Sequence, residues 1–466
     1  MCKASAQVSA LHDAILYSTA GNTIIPTDST TLFTIDSIVI TGNNRTREST
    51  VLRELSFKEG QKYSLSQLVA KFAETKKQLM NTGLFRDVVV SLQNLQGYNA
   101  AVKIDVKERW YIYPFPFIRM IDRSFGEWVK QQHMDLTRIN YGIRIEDKNM
   151  TGRNDNLYVY LMGGYTRQVA LRYNGLFLDK DMKWSANLGV SFGKNKELNY
   201  ITVNNKLKAL KNSDDFVVSF FQSFLEFNYR RAIKTTHTFG VAYNYQDVAD
   251  TVYKLNPFFS TQRTITRYPE IRYRLVHFNT DFNPYPTKGY VADIEMTKKG
   301  FNHQLNLWQI IAKGSAYWPL SDKNFFNLAA AASLKLPFRQ PYISQQLIGY
   351  NDMFMQGYEY YIIDGVVGGY TKATFSRQIL NTAIHIPSER FKVINNIPIR
   401  IYAKVYGNTG YVYNKQPGEN ELCNKMLYSG GFGLDVIAFY DFILKIDWSF
   451  NQLGQNGLYL HRKSYF

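Results

Sequence analysis

The chain has 466 residues, of which 45% are hydrophobic, and it carries a formal net charge of +17. Its 34 Tyr and 31 Phe are unusual for a soluble enzyme and favour a transmembrane barrel, which needs aromatic girdles at both membrane interfaces. No window approaches the roughly 20 consecutive apolar residues of a membrane helix, so any membrane-spanning part must be a closed barrel. The basic residues are scattered, which indicates anionic lipid headgroups rather than nucleic acid as their counterpart.

Residues 1–32 are polar and are interpreted as a flexible lead-in to the first domain. Ala4-Ser5-Ala6, with Lys3 before it, has the small-residue pattern of a signal-peptide cleavage box, but no apolar segment precedes it. The pattern is either the remnant of a signal peptide that starts further upstream or a chance match. The two cysteines, Cys2 and Cys423, cannot build a disulfide scaffold.

Residues 33–108 are predicted to form a small α+β domain with the order strand, helix, helix, strand, strand. Thr46 is the predicted cap of the first helix, and the second helix is predicted to begin at Ser64 and to end at Asn81-Thr82-Gly83. The three strands are predicted at 33–40, 85–92 and 101–106.

This order resembles a POTRA (polypeptide-transport-associated) domain. The residues that carry the resemblance are Ile38-Val39-Ile40, Gly42-Asn43, Arg53-Glu54-Leu55, Gly60 and Gly83-Leu84-Phe85, followed by Val88 and Val90. The resemblance implies an exposed sheet edge, to which an extended polypeptide adds by main-chain hydrogen bonds. The alternative is a generic small α+β module.

Residues 109–466 read as one alternating segment after another. Apolar residues at every second position face away from polar or charged ones, as at 182–192, 237–246, 399–406 and 442–451. We count about sixteen such segments, an even number as in single-chain barrels, and predict an antiparallel transmembrane β-barrel with a wet lumen. Short connections alternate with long ones, as expected if the chain enters from the periplasm. Residues 195–211 are compatible with one more strand or a helix.

One segment matches a catalytic motif in its sequence. Gly189-Val190-Ser191-Phe192-Gly193 matches the nucleophile elbow of hydrolases, but that motif needs a strand followed by a helix, and this one lies in a strand-rich barrel. The seven histidines show no metal-binding spacing, and there is no P-loop or C-x-x-C motif. We therefore predict no enzyme activity, no cofactor and no metal.

Two turns of the predicted barrel resemble those of the BamA/TamA-type outer-membrane assembly barrels, the bacterial surface antigen family. The segment 147–154 carries Asn149 and Gly152 of the family's Asn-x-x-Gly turn. The segment 281–290 is similar to the family's Asp-to-Pro-x-x-Gly turn and carries Asp281, Pro286 and Gly289. With the POTRA-like domain, the resemblance spans residues 33–466.

A long loop at 337–370 occupies the place of the family's Arg-Gly-Phe/Tyr tip. The family implies a tip arginine that folds into the lumen and meets an acidic residue, but this tip reads Gln356-Gly357-Tyr358, and the matching strand reads Tyr406-Gly407-Asn408-Thr409-Gly410. We predict that Gln356 is hydrogen-bonded within the lumen, with Asn408 as candidate partner. A neutral pair of about 1 kcal/mol per bond avoids an unpaired buried charge, which costs roughly 3–5 kcal/mol. The alternative is a loop that is no longer anchored.

The resemblance implies an outer-membrane protein, with its POTRA domain in the periplasm, that inserts or transports polypeptides. The expected route is a weak seam between the first barrel strand, 110–120, and the last, 457–466. Pro114 and Pro116 remove ladder donors from the first strand. Trp110, Gly457 and Phe466 mark the ends of the two strands, and a terminal aromatic such as Phe466 resembles a barrel assembly signal, although it also suits the aromatic girdle.

The expected partners are unfolded outer-membrane or secreted polypeptides, bound by the POTRA edge and the seam, together with membrane lipids and accessory subunits. Two alternatives remain open. One is a dedicated pore of the two-partner secretion type. The other is a passive porin or structural barrel.

Overall fold

A computed structural model describes residues 31–120, 133–179, 181–212, 214–261, 264–302, 305–350, 353–385, 396–438 and 442–462. Contacts divide these residues into two compact units, one running to Tyr113 and including Asp147–Asn156, and one formed by the rest. Within the described ranges, none of the helices has the length and apolar character needed to cross a membrane.

The first unit contains a four-stranded sheet in the order β2-β1-β4-β3, with two helices packed on it. Strands β1 and β4 are parallel, and the other neighbours are antiparallel. The elements are β1 Leu32–Thr41, α1 Glu48–Arg53, β2 Lys62–Ser64, α2 Leu65–Asn81, β3 Phe85–Gln96 and β4 Asn99–Glu108. The core between sheet and helices holds Ile35, Val51, Leu68, Leu79, Val88 and Ile104.

The two helix starts differ from each other. Ser64 caps α2 in a reciprocal capping box with Gln67, which explains why the helix begins where it was predicted. The predicted cap Thr46 is wrong, because the N-cap of α1 is Arg47, without a side-chain cap. The Thr46 hydroxyl is instead engaged with Tyr111 Oη (3.0 Å) and Asn149 Nδ2 (3.0 Å).

The second unit is built on a single sixteen-stranded sheet, and its neighbouring strands from β8 to β22 pair antiparallel. The strands that follow β4 are β5 Ile112–Met120, β6 Ile139–Asp147, β7 Asn156–Gly164, β8 Thr166–Phe177, β9 Trp184–Asn195, β10 Glu197–Val203, β11 Lys206–Lys211, β12 Val218–Ala232, β13 Thr235–Val248, β14 Ile265–Thr280, β15 Gly289–Lys299, β16 Leu307–Pro319, β17 Asn324–Leu336, β18 Val367–His385, β19 Asn396–Tyr413, β20 Met426–Ala438, β21 Phe442–Asn451 and β22 Asn456–Arg462. A short helix, α3 Asp250–Leu255, follows β13.

The strands bury polar side chains and expose apolar ones, the reverse of a soluble sheet. Along β19, Val405 is 55% exposed while Lys404 is 6% exposed; along β21, Phe450 is 45% exposed while Asp447 is 0% exposed. An apolar exterior around a polar interior is the pattern of a transmembrane barrel. The predicted fold class, a sixteen-stranded antiparallel barrel after one small α+β domain, is confirmed.

Two connections differ from expectation in detail. The ambiguous segment 195–211 contains β10 and β11, which form a separate two-stranded hairpin. The long loop ends earlier than predicted, since β18 begins at Val367 and therefore includes Gly368, Gly369 and Tyr370. We call residues 337–366 the luminal loop.

Candidate functional site

The luminal loop places its tip inside the barrel. Met355 and Tyr358 are each 1% exposed, and they belong to a buried cluster that the loop shares with β17–β20. Members of this cluster on the barrel wall are Ala331, Tyr370, Val412 and Leu427. Apolar contacts therefore pack the tip against the inner wall of the barrel.

Gln356 makes polar contacts with the inner wall of the barrel. Its side-chain Nε2 donates a hydrogen bond of 2.8 Å to Asp447 Oδ2 on β21. Its main-chain oxygen accepts bonds from Ser429 Oγ (2.5 Å) and, at the longer distance of 3.5 Å, from Asn408 Nδ2. The predicted side-chain pair between Gln356 and Asn408 is thus not formed, because Asn408 Nδ2 points to the loop backbone and to Ser429 Oγ (3.1 Å).

Asp447 belongs to a buried group of charges. The alternation in the sequence placed two of its members, Lys404 and Asp447, on the lumen side but gave them no role. Lys404 Nζ lies 2.6 Å from Asp435 Oδ1 and 2.7 Å from Asp447 Oδ1, and all three side chains are almost completely buried. Two carboxylates and one ammonium leave a net charge of −1. Each carboxylate receives one further donor, Gln356 at Asp447 and the Tyr285 hydroxyl at Asp435 (2.9 Å). We call Lys404, Asp435 and Asp447 the charge triad.

Gly357 and Gly410 allow the tip to approach the wall closely. Gly357 has φ +87°, and a Cβ there would lie 2.7 Å from Ser429 Cβ. A Cβ on Gly410 would lie 3.0 Å from Met355 Sδ. The Gly357 carbonyl accepts a bond from Asn451 Nδ2 (2.7 Å), and the Tyr358 hydroxyl donates to the Tyr428 carbonyl (3.1 Å). Burial raises the pKa of Tyr358.

The first family turn lies in the POTRA-like unit. Asn149 is completely buried and binds the Thr46 hydroxyl, while the Gly152 carbonyl accepts bonds from Arg47 N (2.8 Å) and Thr50 Oγ1 (3.0 Å). Gly152 has φ +83°, and a Cβ there would lie 2.4 Å from the Arg45 carbonyl. The glycine is required because the turn packs directly on the backbone at the start of α1.

The second family turn reaches into the barrel. Asp281 closes it by accepting bonds from Thr287 N (2.9 Å), Thr287 Oγ1 (2.5 Å) and Lys288 N (3.1 Å). Gly289, with φ +106°, ends it where a Cβ would collide with the Asn279 carbonyl. Tyr285 and Pro286 at its crest line a cavity of about 420 Å³ that Gln356, Lys404 and Asp447 also line. The turn and the loop tip thus face the same cavity.

The two strands of the expected seam are the two ends of the sheet order. β5 contains Pro114 and Pro116, and β22 contains Gly457. In the described parts of β5 and β22 the sheet order gives no pairing between the two strands. Trp110 precedes β5, is exposed, and donates its indole N–H to the Ile112 carbonyl. Phe466 lies outside the described residues.

Among the residues singled out from sequence, the structure brings Gln356, Gly357, Tyr358, Asn408 and Gly410 together at the loop tip. The family turns and the seam strands lie elsewhere. The charge triad and Tyr285 were missed as partners of the tip. The alternation of β19 and β21 did show that Lys404 and Asp447 face the lumen, and this was the only sequence signal for them.

A small α+β domain followed by a polar-lined, sixteen-stranded barrel defines an outer-membrane β-barrel protein, with the small domain in the periplasm. The POTRA family model, described as surface antigen variable number repeat, matches residues 33–109. The Omp85 superfamily domain model matches residues 149–438. The chain belongs to the Omp85 superfamily.

Similar proteins were found by sequence and by structure. The outer membrane protein assembly factor BamA of Neorickettsia risticii (strain Illinois) is 32% identical over 81 residues, which is 17% of this chain and 10% of that protein. The structure of BamA from Haemophilus ducreyi lacking POTRA domains 1–3 aligns with a TM-score of 0.52 at 14% identity, covering 92% of this chain and 83% of that chain. CdiB from Escherichia coli aligns with a TM-score of 0.49 at 11% identity, covering 98% and 95%.

Gln356→Arg is expected to stabilise the loop tip. An arginine, the residue that the family places at this tip, would form an ion pair with Asp447 in place of the amide bond. That bond already ends on a carboxylate, so the gain comes from the added charge and the second donor of the guanidinium and is roughly 1 kcal/mol. Urea unfolding of the barrel in lipid vesicles should show this gain, with Gln356→Met as the uncharged control. Equal midpoints for the two variants would contradict the expectation.

Proposed function

We propose that this protein is an outer-membrane assembly or secretion factor that inserts or transports polypeptides through the seam between β5 and β22. The observation that carries the proposal is the sheet order, which ends at these two strands without a pairing between their described residues. Unpaired main-chain groups in a membrane cost several kcal/mol each. A polypeptide strand entering at the seam would satisfy them and would itself enter the lipid fully paired.

The two seam strands are weak partners for each other. Pro114 and Pro116 cannot donate to a neighbouring strand, so part of the β5 edge lacks N–H groups. A strand edge that is poor in donors forms fewer hydrogen bonds with β22, so a contact between the two strands would open at low cost.

The POTRA domain supplies a second edge for polypeptides. Among the described residues β3 pairs only with β4 in its sheet, and its other side is the proposed site where an extended segment adds by main-chain hydrogen bonds. Unfolded outer-membrane or secreted polypeptides are the proposed clients, and accessory subunits are the proposed partners. The proposed role is not enzymatic. Ser191 of the Gly-x-Ser-x-Gly match lies within β9, where its hydroxyl accepts a bond from Gln168 Nε2 (3.0 Å).

A reducible cross-link across the seam tests the proposal. Cysteines replacing Ile118 on β5 and Leu458 on β22, both exposed on the barrel surface, are joined by a reducible bis-maleimide in proteoliposomes. Insertion of an unfolded outer-membrane barrel is then measured. We expect insertion to fall at least about tenfold and to recover on reduction, because a closed seam offers no free edge.

The matched control joins Phe432 and Trp448, which are directly opposite on the paired strands β20 and β21 and equally lipid-facing. That cross-link should leave the insertion of the unfolded barrel unchanged. Equal insertion with the seam open and closed would refute the proposal that polypeptides enter through the seam and would favour a passive barrel. Polypeptide recovered inside the vesicles without insertion would assign secretion through the same protein.

A further inference from the structure

The β10–β11 hairpin is an extra element in the connection between β9 and β12, on the side of the barrel opposite the periplasmic turns. Its strands pair with each other and not with the barrel sheet. Asn204 and Asn205 form its two-residue turn with φ of +51° and +57°, a conformation that asparagine tolerates well. The hairpin therefore presents a sharply defined tip.

Asn205 lies at this tip. Its main-chain N–H and carbonyl and both polar atoms of its side chain are hydrogen-bonded to two other loops. Its carbonyl accepts from Ile362 N (2.8 Å), and its Nδ2 donates to the Ile362 carbonyl (3.1 Å). Its N–H donates to Asn420 Oδ1 (2.9 Å), and its Oδ1 accepts from Leu422 N (3.1 Å). The residue is 2% exposed. The hairpin tip is thus inserted between the luminal loop and the loop at 414–425.

A second contact ties the hairpin to the luminal loop through Asp364. The Thr202 hydroxyl donates to Asp364 Oδ2 (2.5 Å), and the Tyr350 hydroxyl, from the other arm of the same loop, donates to Asp364 Oδ1 (2.9 Å). The Asp364 carbonyl accepts from Asn414 Nδ2 (3.0 Å). Burial raises the pKa of Asp364. Both arms of the luminal loop and the hairpin therefore meet at one buried carboxyl group.

The base of the hairpin is held by a different set of contacts. Leu198, Tyr200 and Leu210 pack against a cluster that contains Val218, Val248 and the α3 residue Val252. Asn256, just after α3, also donates from Nδ2 to the Tyr200 carbonyl (2.7 Å). These contacts fix the hairpin on the β12–β13 side of the barrel, whereas its tip holds a loop that starts and ends on β17 and β18.

We propose that the β10–β11 hairpin is an external clasp that holds the luminal loop inside the barrel, with Asn205 and Asp364 as its positioning residues. The clasp acts whether the barrel inserts or secretes polypeptides, so it goes beyond the function proposed above. Five residues lie between the tip anchor at Gln356 and the clasped Ile362. The Gln356 side chain and the clasp therefore hold the loop at two separate points, in addition to the buried packing of Met355 and Tyr358.

Labelling of the buried Met355 position tests the clasp. Met355→Cys is made with Cys2→Ser and Cys423→Ser, which keeps a donor at the Asp364 carbonyl, and a membrane-impermeant maleimide is applied to intact cells. Asn205→Ala with Thr202→Val removes the side-chain bonds of the clasp and leaves the main-chain bonds of Asn205 in place. Gln356→Ala removes the tip side chain. We expect each change alone to raise the labelling rate less than about threefold, and both together to raise it more than tenfold, because linked anchors are non-additive. Lys208→Ala, an exposed position of the same hairpin, is the control.

A deletion keeps the proposal falsifiable should the point variants misfold. Asn212 N donates to the Lys196 carbonyl (3.0 Å), so residues 197–211 leave adjacent ends that two glycines can join. The gel-mobility shift of the folded barrel on heating reports whether this variant folds. A folded deletion variant in the Gln356→Ala background that labels no faster than Gln356→Ala alone would overturn the clasp. So would a combined point variant that labels no faster than its Lys208→Ala counterpart.

Discussion

Lys404→Met is expected to destabilise the barrel by about 3–5 kcal/mol, the cost of removing one partner from a buried ion pair. The substitution keeps most of the side-chain volume but leaves Asp435 and Asp447 without their shared cation in the barrel interior. Both carboxylates are almost completely buried, and each keeps a single neutral donor. Because Asp447 also holds Gln356, the loop tip should loosen together with the wall.

The measurement is the urea midpoint and slope of unfolding in lipid vesicles. Lys445→Met is the comparison variant, since Lys445 lines the same cavity and stands opposite Asp435 in the β20–β21 ladder, but among the described residues it makes no ion pair within 4 Å. Its charge acts on Asp435 and Asp447 only at longer range. The Lys445→Met variant should cost less than about 1 kcal/mol, the range of a weak charge interaction. Equal losses in the two variants would mean that the charge triad has no special role in stability.

The barrel could be predicted because membrane strands obey a simple local rule. Alternate residues face either lipid or the lumen, so apolar and polar residues alternate along segments such as 399–406 and 442–451. This alternation can be recognised from adjacent residues in the sequence alone. The same rule explains the one ambiguity. Leu198, Tyr200 and Leu210 of the β10–β11 hairpin pack against α3 and the adjoining ends of β12 and β13 rather than against lipid, so they carry no regular in-and-out alternation.

The position of the loop tip could be predicted from the sequence, but the hydrogen-bond partner of Gln356 could not. Resemblance located Gln356, and strand parity put Asn408 on the inner wall. Parity also put Lys404 and Asp447 there, but it cannot say which of many inward side chains a loop some 90 residues away will touch. That choice depends on how far the loop descends, which is decided by packing of Met355 and Tyr358 against β17–β20. The Gln356–Asp447 bond is a consequence of that depth.

The second family turn shows the same limit. Asp281, Pro286 and Gly289 were identified by their spacing, and the hydrogen bonds of Asp281 explain why the turn closes. Nothing local indicated that Tyr285 enters the barrel interior to contact Asp435, Phe325 and Tyr402. That burial depends on strands that lie 40 to 150 residues further along the chain.

Gly357→Ala is expected to cost about 2–5 kcal/mol. Part of this is the left-handed backbone at φ +87°, which costs an alanine about 1–2 kcal/mol. The rest is the clash of the new Cβ with Ser429 Cβ at 2.7 Å and with the Phe450 carbonyl at 3.1 Å, since overpacking costs about 1–3 kcal/mol. The tip would have to retreat from β20 and β21, which would lengthen the Gln356–Asp447 bond.

Gly418→Ala separates these two contributions. Gly418 also has a left-handed backbone, with φ +57°, but a Cβ there would meet nothing within 4 Å. It should therefore show the backbone cost alone and leave Met355→Cys unreactive, whereas Gly357→Ala should show the larger loss and faster maleimide labelling of Met355→Cys. If the two alanine variants lose equal stability and label equally slowly, the tip does not depend on close contact with the wall. The close approach at Ser429 would then have no part in holding the luminal loop.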